Sequence, residues 1–480
     1  MEMLDIVSKP SKFLKHFKVD VEGELEGYED WWFEEGLKIS ENIDRLGTPH
    51  LRMFDRFGNR IDEILYPKEY WDMLYRGYKL GVVADPIQSG NLFKFFKIGY
   101  ITSFFDPGLY CPYTVSLSTA IPIYKYAPEG IREKYLERML RRDEEVWQGA
   151  TWMTEAKGGS DLGNTVETLA EFDGKFWILN GEKYFASNVG AQLAVVAARF
   201  KGEGKGVRSL GLFLLPRYRE NGELNYFVRR IKDKIGTRSV PTGEVELKNS
   251  QAYLLGDRNN GIYIILEVLN ISRVANAVGS VALAQRAIYE AYIFAKERFA
   301  FGRKVLEHPL MKRQFYDRIS LIMKAFALAW ESVIMLNGVF LEKPPYSNFY
   351  HAFRLLAHLA KFWTAEISVQ TSKWSMEVNA GMGVLGEYGV ERLLREAMIL
   401  PIWEGTPHRQ VLDAVEVIVK KDAHKHLYEH LKDYDPEGEI LKIGEEIKSL
   451  EEEKRETLAD IYISQLAERV SNILIKKYLS

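Results

Sequence analysis

Four short segments of this chain carry residue types able to do chemistry. In Pro401-Ile402-Trp403-Glu404-Gly405-Thr406-Pro407 a carboxylate stands beside two apolar side chains. Ile402 and Trp403 are expected to strip water from Glu404, which raises its pKa and prepares it to take a proton from a weak carbon acid. The commoner role of such a residue is a helix-terminus acid, with Thr406 as the cap. In Met153-Thr154-Glu155-Ala156-Lys157-Gly158-Gly159-Ser160-Asp161 the glycines let backbone N–H groups converge and Ser160 adds a hydroxyl. That set suits a phosphate or pyrophosphate, although such a run is more often a plain loop. In Asn180-Gly181-Glu182-Lys183-Tyr184-Phe185-Ala186-Ser187-Asn188, strand alternation puts Phe185 and Ser187 on one face. One can pack on a flat ring and the other can bond its edge, while a half-buried hairpin strand explains the pattern about as well. In Arg298-Phe299-Ala300-Phe301-Gly302-Arg303, Arg298 suits a phosphate and Phe301 a stacking contact. A basic residue at a helix carboxyl end also simply complements the helix dipole.

The elements that must position these residues follow from periodicity. Apolar residues recur at helical spacing from about residue 30 to 149, as in Trp31, Trp32, Leu37 and Ile39, with breaks at 47–49, Pro86, 107–108 and 128–130. From Thr151 to about Gly256 short β-branched and aromatic runs alternate with turn signals, among them Asp173-Gly174 between two apolar runs. The strands expected are 169–172, 176–179, 193–200, 210–215, 226–231 and 243–247. Helical spacing then returns over 262–301, 310–341, 349–378, 388–399 and 410–419, which suggests an antiparallel bundle. The tail, 421–480, is charge-rich and amphipathic, with Leu458, Ile461, Leu466, Val470, Ile473 and Leu474 on one side.

A chain of 480 residues with 46% hydrophobic and 27% charged content can bury a large core, in about three domains. The first nine residues carry Glu2 and Asp5 and no apolar block, so neither a secretory signal nor a membrane span is expected, and a cytoplasmic location follows. The single cysteine, Cys111, excludes an internal disulfide, argues against a cysteine metal site, and reads as a buried structural residue. A formal net charge of −3 gives no whole-chain attraction to nucleic acid or acidic lipid.

In their order along the chain and at these separations, the four segments resemble the acyl-CoA dehydrogenase family over roughly residues 100–420. Within it the chain looks like the AidB branch, on Leu109-Tyr110-Cys111-Pro112, Trp403-Glu404-Gly405 and the stretch around Met53-Phe54-Asp55-Arg56-Phe57-Gly58. The resemblance implies an α+β multidomain fold: a helical N-terminal domain (1–150), a central antiparallel β-domain (151–258), a C-terminal helical bundle (259–420) and a helical extension (421–480). It implies FAD as cofactor, with Met153 and Thr154 at the flavin pyrimidine, Ser160 at the pyrophosphate, and Phe185, Ala186 and Ser187 at the ring face and its N5 edge. Arg298 and Phe301, with the loop that holds Glu377 and Gly381, would reach the FAD of a neighbouring subunit, and Thr406 and His408 join the cofactor contacts. Glu404 falls on the catalytic base, Arg273 in Ser272-Arg273-Val274-Ala275 lies near the thioester, and Gly405 lines the acyl site. Phe185 stands where Trp is more usual, and Glu377 and Pro309 stand where Gln is common.

The implied reaction is FAD-dependent α,β-dehydrogenation of an acyl-CoA thioester, with flavin N5 taking the hydride. A ribityl hydroxyl of FAD and the Glu404 backbone N–H would donate to the thioester carbonyl. An electron-transferring flavoprotein or similar acceptor and a homotetramer are further expectations, with no membrane partner. Two rivals are a DNA-associated protective flavoprotein and an oxidase or monooxygenase on the same scaffold. Nucleic acid is not expected as a partner, because the tail carries ten Lys or Arg against fourteen Asp or Glu.

Overall fold

The computed structural model describes residues 5–21 and 23–479, so the start of the amino-terminal stretch read above and Ser480 of the tail lie outside the described residues. Contacts divide the chain into two compact units. One gathers Met1–Glu34, Phe96–Pro107 and Arg273–Ser480, and the other Glu35–Phe95 and Gly108–Ser272.

The second unit holds a seven-stranded sheet of Thr151–Trp152, Leu169–Phe172, Trp177–Ser187, Leu193–Phe200, Leu210–Pro216, Phe227–Ile231 and Thr242–Leu255. The turn between its second and third strands forms as its sequence dictates. Asp173 Oδ1 accepts from the N–H groups of Lys175 and Phe176 at 2.8 and 2.7 Å, an Asx turn that closes the hairpin. Trp177–Ser187 pairs antiparallel with Thr242–Leu255. The sheet is mixed rather than wholly antiparallel, because Thr151–Trp152 and Leu169–Phe172 both run parallel to Leu193–Phe200. That strand is buried at every position, and around it pack Trp152, Leu179, Phe213 and Val245. Continuous apolarity marks a strand covered on both faces.

The stretch from 30 to 149 is not helical throughout. His50–Phe54 and Arg60–Leu65 form an antiparallel hairpin. Asp55 closes its turn by accepting from the N–H groups of Phe57 and Asn59, and buried Asp62 accepts from Val228 N–H at 2.7 Å, tying the hairpin to the sheet. Pro86 does not break a helix; it lies near the start of Ala84–Ser89, where its missing N–H costs nothing. Cys111 is half-buried rather than fully buried.

The first unit is dominated by long helices, Pro309–Val339, Asn348–Val378, Val390–Ala397 and Pro407–Lys421, together with most of Gly261–Glu297. Gly261–Glu297 stops four residues short of the expected Phe301. Phe299–Ala300 and Arg303–Lys304 pair instead as a small hairpin, with Phe301 and Gly302 at positive φ of 50° and 81°. Gly261–Glu297 and Pro309–Val339 are apolar and long enough to cross a bilayer, but their most apolar windows are 89% and 78% buried in the protein, as core helices are.

The tail joins the bundle. Ala459–Leu479 buries Ile463, Leu466, Val470, Ile473 and Leu474, whereas Ile461, expected on that stripe, is exposed. Near its end the buried Glu331 accepts from Lys477 Nζ at 2.8 and 2.9 Å, Tyr478 OH at 2.8 Å and His430 Nε2 at 2.6 Å.

Candidate active site

Glu404 sits in the turn that links Val390–Ala397 to Pro407–Lys421. The backbone there is left-handed, with φ of 58° at Glu404 and 102° at Gly405. A non-glycine residue holds such a conformation only where its surroundings over-determine it. Here they do. Trp403 packs against the cluster of Leu283, Ala287, Ala365, Leu393, Ala397 and Leu400, and its indole N–H donates to Asn276. Gln410 Nε2 donates to the carbonyls of Glu404 and Gly405 at 3.0 and 3.2 Å, and Arg273 Nε to the Glu404 carbonyl at 3.4 Å. His358 Nδ1 donates to Gln410 Oε1 at 2.9 Å, which fixes the amide so that its N–H groups face the turn. Lys361, fully buried, donates to the carbonyls of Pro401 at 2.7 Å and Gly405 at 2.6 Å. Thr406 caps the next helix by accepting from Arg409 N–H. Both sequence readings of this segment therefore coexist: the turn is a capped helix start, and it presents a carboxylate.

The electrostatics suit a base. Burial raises the pKa of Glu404, and the nearby charges of Arg273 and Lys361 pull it back only in part. Among the described residues nothing donates to the Glu404 carboxylate, and nothing accepts from its backbone N–H. Ile402, expected to shield Glu404, is 63% exposed, whereas Arg273 and Lys361 beside the turn are buried. Burial pushes Lys361 down to about 7, with Arg273 adding to the fall and Glu404 opposing it. Burial and Arg273 together push His358 down to about 3, so it stays neutral. Burial opposes ionisation of Asp413, yet the charges of Arg273 and Arg409 hold its pKa low, and it pairs with Arg273 at 3.4 Å.

The glycine loop and the aromatic strand meet in the other unit. Tyr184 N–H donates to the Thr154 carbonyl at 2.9 Å. Beneath them lies a buried ion pair, Lys183 to Glu155 at 2.7 Å, and Lys183 also reaches the Met153 carbonyl at 3.3 Å. Glu155 further accepts from Thr168 Oγ1 and the N–H groups of Glu167 and Thr168, which satisfies its oxygens. Gly159 is required by close approach, since a Cβ there would lie 2.3 Å from Thr154 Oγ1. Ser160 is exposed on this loop and Met153 is buried under it. Along Trp177–Ser187, Phe185 is 52% exposed, Ala186 buried and Ser187 part-exposed, as alternation requires. Ser187 Oγ lies 3.1 Å from Thr242 Oγ1, and Lys232 Nζ stands 4.8 Å from the Phe185 ring centre. An open aromatic face two residues from a hydroxyl, beside a loop of small residues, fits a flat ring system with a polar edge and a phosphate tail.

The remaining predicted residues are placed individually. Arg273 is buried and bonded to the Glu404 carbonyl, and Gly405 is adjacent. His408 is exposed on the first turn of Pro407–Lys421. Arg298 is exposed where Gly261–Glu297 ends, and Phe301 is 95% exposed at its hairpin tip. Glu377 pairs on the surface with Lys373, and Gly381 lies in the short helix Ala380–Val384 that follows. The sequence reading missed Lys361, His358, Gln410 and Asp413. The only signal for them was polarity at positions that helical spacing assigns to the core.

Comparison with known proteins bears on the family and the fold. Residues 259–418 match the family described as Acyl-CoA dehydrogenase, C-terminal domain, and 150–250 its middle domain. Residues 29–145 match the Adaptive response protein AidB N-terminal domain. The chain is 29% identical over 422 residues to Acyl-CoA dehydrogenase family member 11 of Caenorhabditis elegans, covering 81% of this chain and 66% of that protein. It is 26% identical over 413 residues to putative acyl-CoA dehydrogenase AidB of Escherichia coli, covering 81% and 72%. The solved structure of Bd2924 in its apo form superposes with a TM-score of 0.86 at 26% identity, covering 100% of this chain and 97% of that one. Helical and β segments in this order, with these matches along most of the chain, place it in the acyl-CoA dehydrogenase family, a family of FAD-dependent oxidoreductases.

Proposed function

We propose that the protein catalyses α,β-dehydrogenation of an acyl-CoA thioester, with Glu404 as the base that removes the proton beside the carbonyl. The observation that carries this reading is a half-buried carboxylate with a raised pKa and no hydrogen-bond donor among the described residues, held on a left-handed turn by three polar side chains. A surface acid has none of these features. A carboxylate starved of donors gains most by taking a proton. The free Glu404 N–H is available to the thioester carbonyl and would stabilise charge that develops there. Arg273 holds the turn while its own charge is balanced by Asp413.

Bound FAD supplies the acceptor for the hydride that leaves the neighbouring carbon. Thr154, Ser160, Phe185 and Ser187 would hold it, with Arg298 and Phe301 reaching the FAD of a second subunit. The nematode relative's name supports CoA as the carrier. An electron-transferring flavoprotein would remove the electrons.

The test is spectroscopic. The purified protein is expected to be yellow, with one non-covalent FAD per chain, and a panel of saturated acyl-CoA thioesters should bleach it without air. A colourless protein that takes up no FAD, or a flavin that no thioester bleaches, overturns the reading.

A further inference from the structure

We propose that Lys361 is the positioning residue of the base: by donating to the carbonyls of Pro401 and Gly405, on either side of Glu404, it fixes the turn that aims the carboxylate. The inference rests on Glu404 being the base. Lys361 lies in the middle of Asn348–Val378 and is fully buried, with Ala357, Ala360 and Ala365 buried near it on the same helix. Packing alone would favour an apolar residue there, because an amine taken out of water must recover its lost hydrogen bonds. Lys361 recovers them from the main chain, and among the described residues no carboxylate forms an ion pair with it. The two carbonyls it holds are four residues apart and bracket the left-handed pair Glu404 and Gly405. Gln410 holds the same Gly405 carbonyl from the following helix, so the turn is gripped from two sides.

The lysine also contributes charge. With Arg273 on Gly261–Glu297 it opposes the rise in the Glu404 pKa, while Asp413 and Arg409 on Pro407–Lys421, and His358 and Arg354 on its own helix, complete the charged and titratable surroundings. Removing Lys361 therefore leaves Glu404 harder to ionise and less well aimed.

The experiment compares wild type, Lys361→Met and Glu404→Gln, each purified with FAD. It reads FAD content, thermal midpoint, KM for an acyl-CoA that bleaches the wild type, the anaerobic rate of flavin reduction, and the pH profile of that rate. Lys361→Met is expected to retain FAD and keep KM within a few fold, while the rate falls by about a hundredfold, the scale set by a small misplacement of a reacting group. Its acid limb should move to higher pH, because the positive charge that favoured ionised Glu404 is gone. A purely structural lysine would lower the midpoint without moving that limb. Should Lys361→Met not fold, Lys361→Gln, which keeps a donor and drops the charge, carries the same readouts. A wild-type rate with an unmoved acid limb overturns the inference. If Glu404→Gln also reduces flavin normally, the reading of the base fails instead.

Discussion

Glu404 is the residue whose protonation state sets the proposed chemistry. Its pKa stands above the usual carboxylate value because burial outweighs Arg273 and Lys361. A base must be ionised, so flavin reduction should rise with pH through an acid limb above the ordinary carboxylate range. A limb at the ordinary range would show that Glu404 is solvated in the working enzyme. Gly405 makes a second prediction. Its φ of 102° and the 2.5 Å approach of Gln410 Nε2 to a notional Cβ leave no room for a side chain. Gly405→Ala should cost about 2 kcal/mol of stability and slow flavin reduction more than it weakens substrate binding, as melting and kinetics would show. At this scale the string Trp-Glu-Gly-Thr-Pro showed a capped helix start, and the roles proposed for Glu404 and Gly405 came from the family resemblance. Lys361 and His358 were not legible, since a polar residue inside an apolar helical stretch looks like the edge of a stripe until the turn it touches is folded against it.

Among the elements, the strand Trp177–Ser187 does the most positioning. Its Lys183 points into the core and meets Glu155, so the loop of Thr154 and the face of Phe185 are fixed to each other by one buried pair. Lys183→Met would strand the Glu155 charge, and a loss of about 3–5 kcal/mol is expected, with FAD retention falling alongside it in a spin-column assay. The tail gives the parallel case in the bundle. Burial opposes ionisation of Glu331, but His430, Lys477 and Tyr478 hold its pKa below the ordinary value. A depressed pKa contributes stability that is present above the unfolded value and lost as pH falls through the folded one. Glu331→Gln should therefore cost about 2 kcal/mol at neutral pH and progressively less in acid, and hydrogen exchange should localise the loss to Ala459–Leu479. The sheet was legible from short apolar runs set between turn signals, and the bundle from a period of 3.6 residues. The hairpin at His50–Phe54 and Arg60–Leu65 was not, because its strands alternate only weakly and its turn rests on Asp55 rather than on a Gly pair. The end of Gly261–Glu297 was misjudged because Phe299 and Phe301 keep helical spacing while pointing into solvent.

For the molecule as a whole, the distribution of charge weighs against DNA association. The tail is acidic, and most cations of the basic run 217–234, the alternative place for a phosphate-binding surface, are buried or paired within the protein. Arg217 is buried against the Asp62 carbonyl, Arg229 pairs with Glu182 at 2.6 Å, and Arg230 and Lys232 share Glu244 at 2.8 and 2.6 Å. Phosphate contacts require free cations, so fluorescence anisotropy with random duplex at physiological salt should show no sub-micromolar binding. The family pattern implies a tetramer, in which Arg298 and the exposed Phe301 would act across a subunit boundary, and light scattering should find no monomer that carries full FAD. The most direct test of the central proposal is single-turnover anaerobic reduction of bound FAD by an acyl-CoA in wild type and Glu404→Gln. Both proteins should hold FAD and bind the thioester, and the variant should reduce its flavin slower by about two to four orders of magnitude. Reduction at the wild-type rate by Glu404→Gln would contradict that proposal.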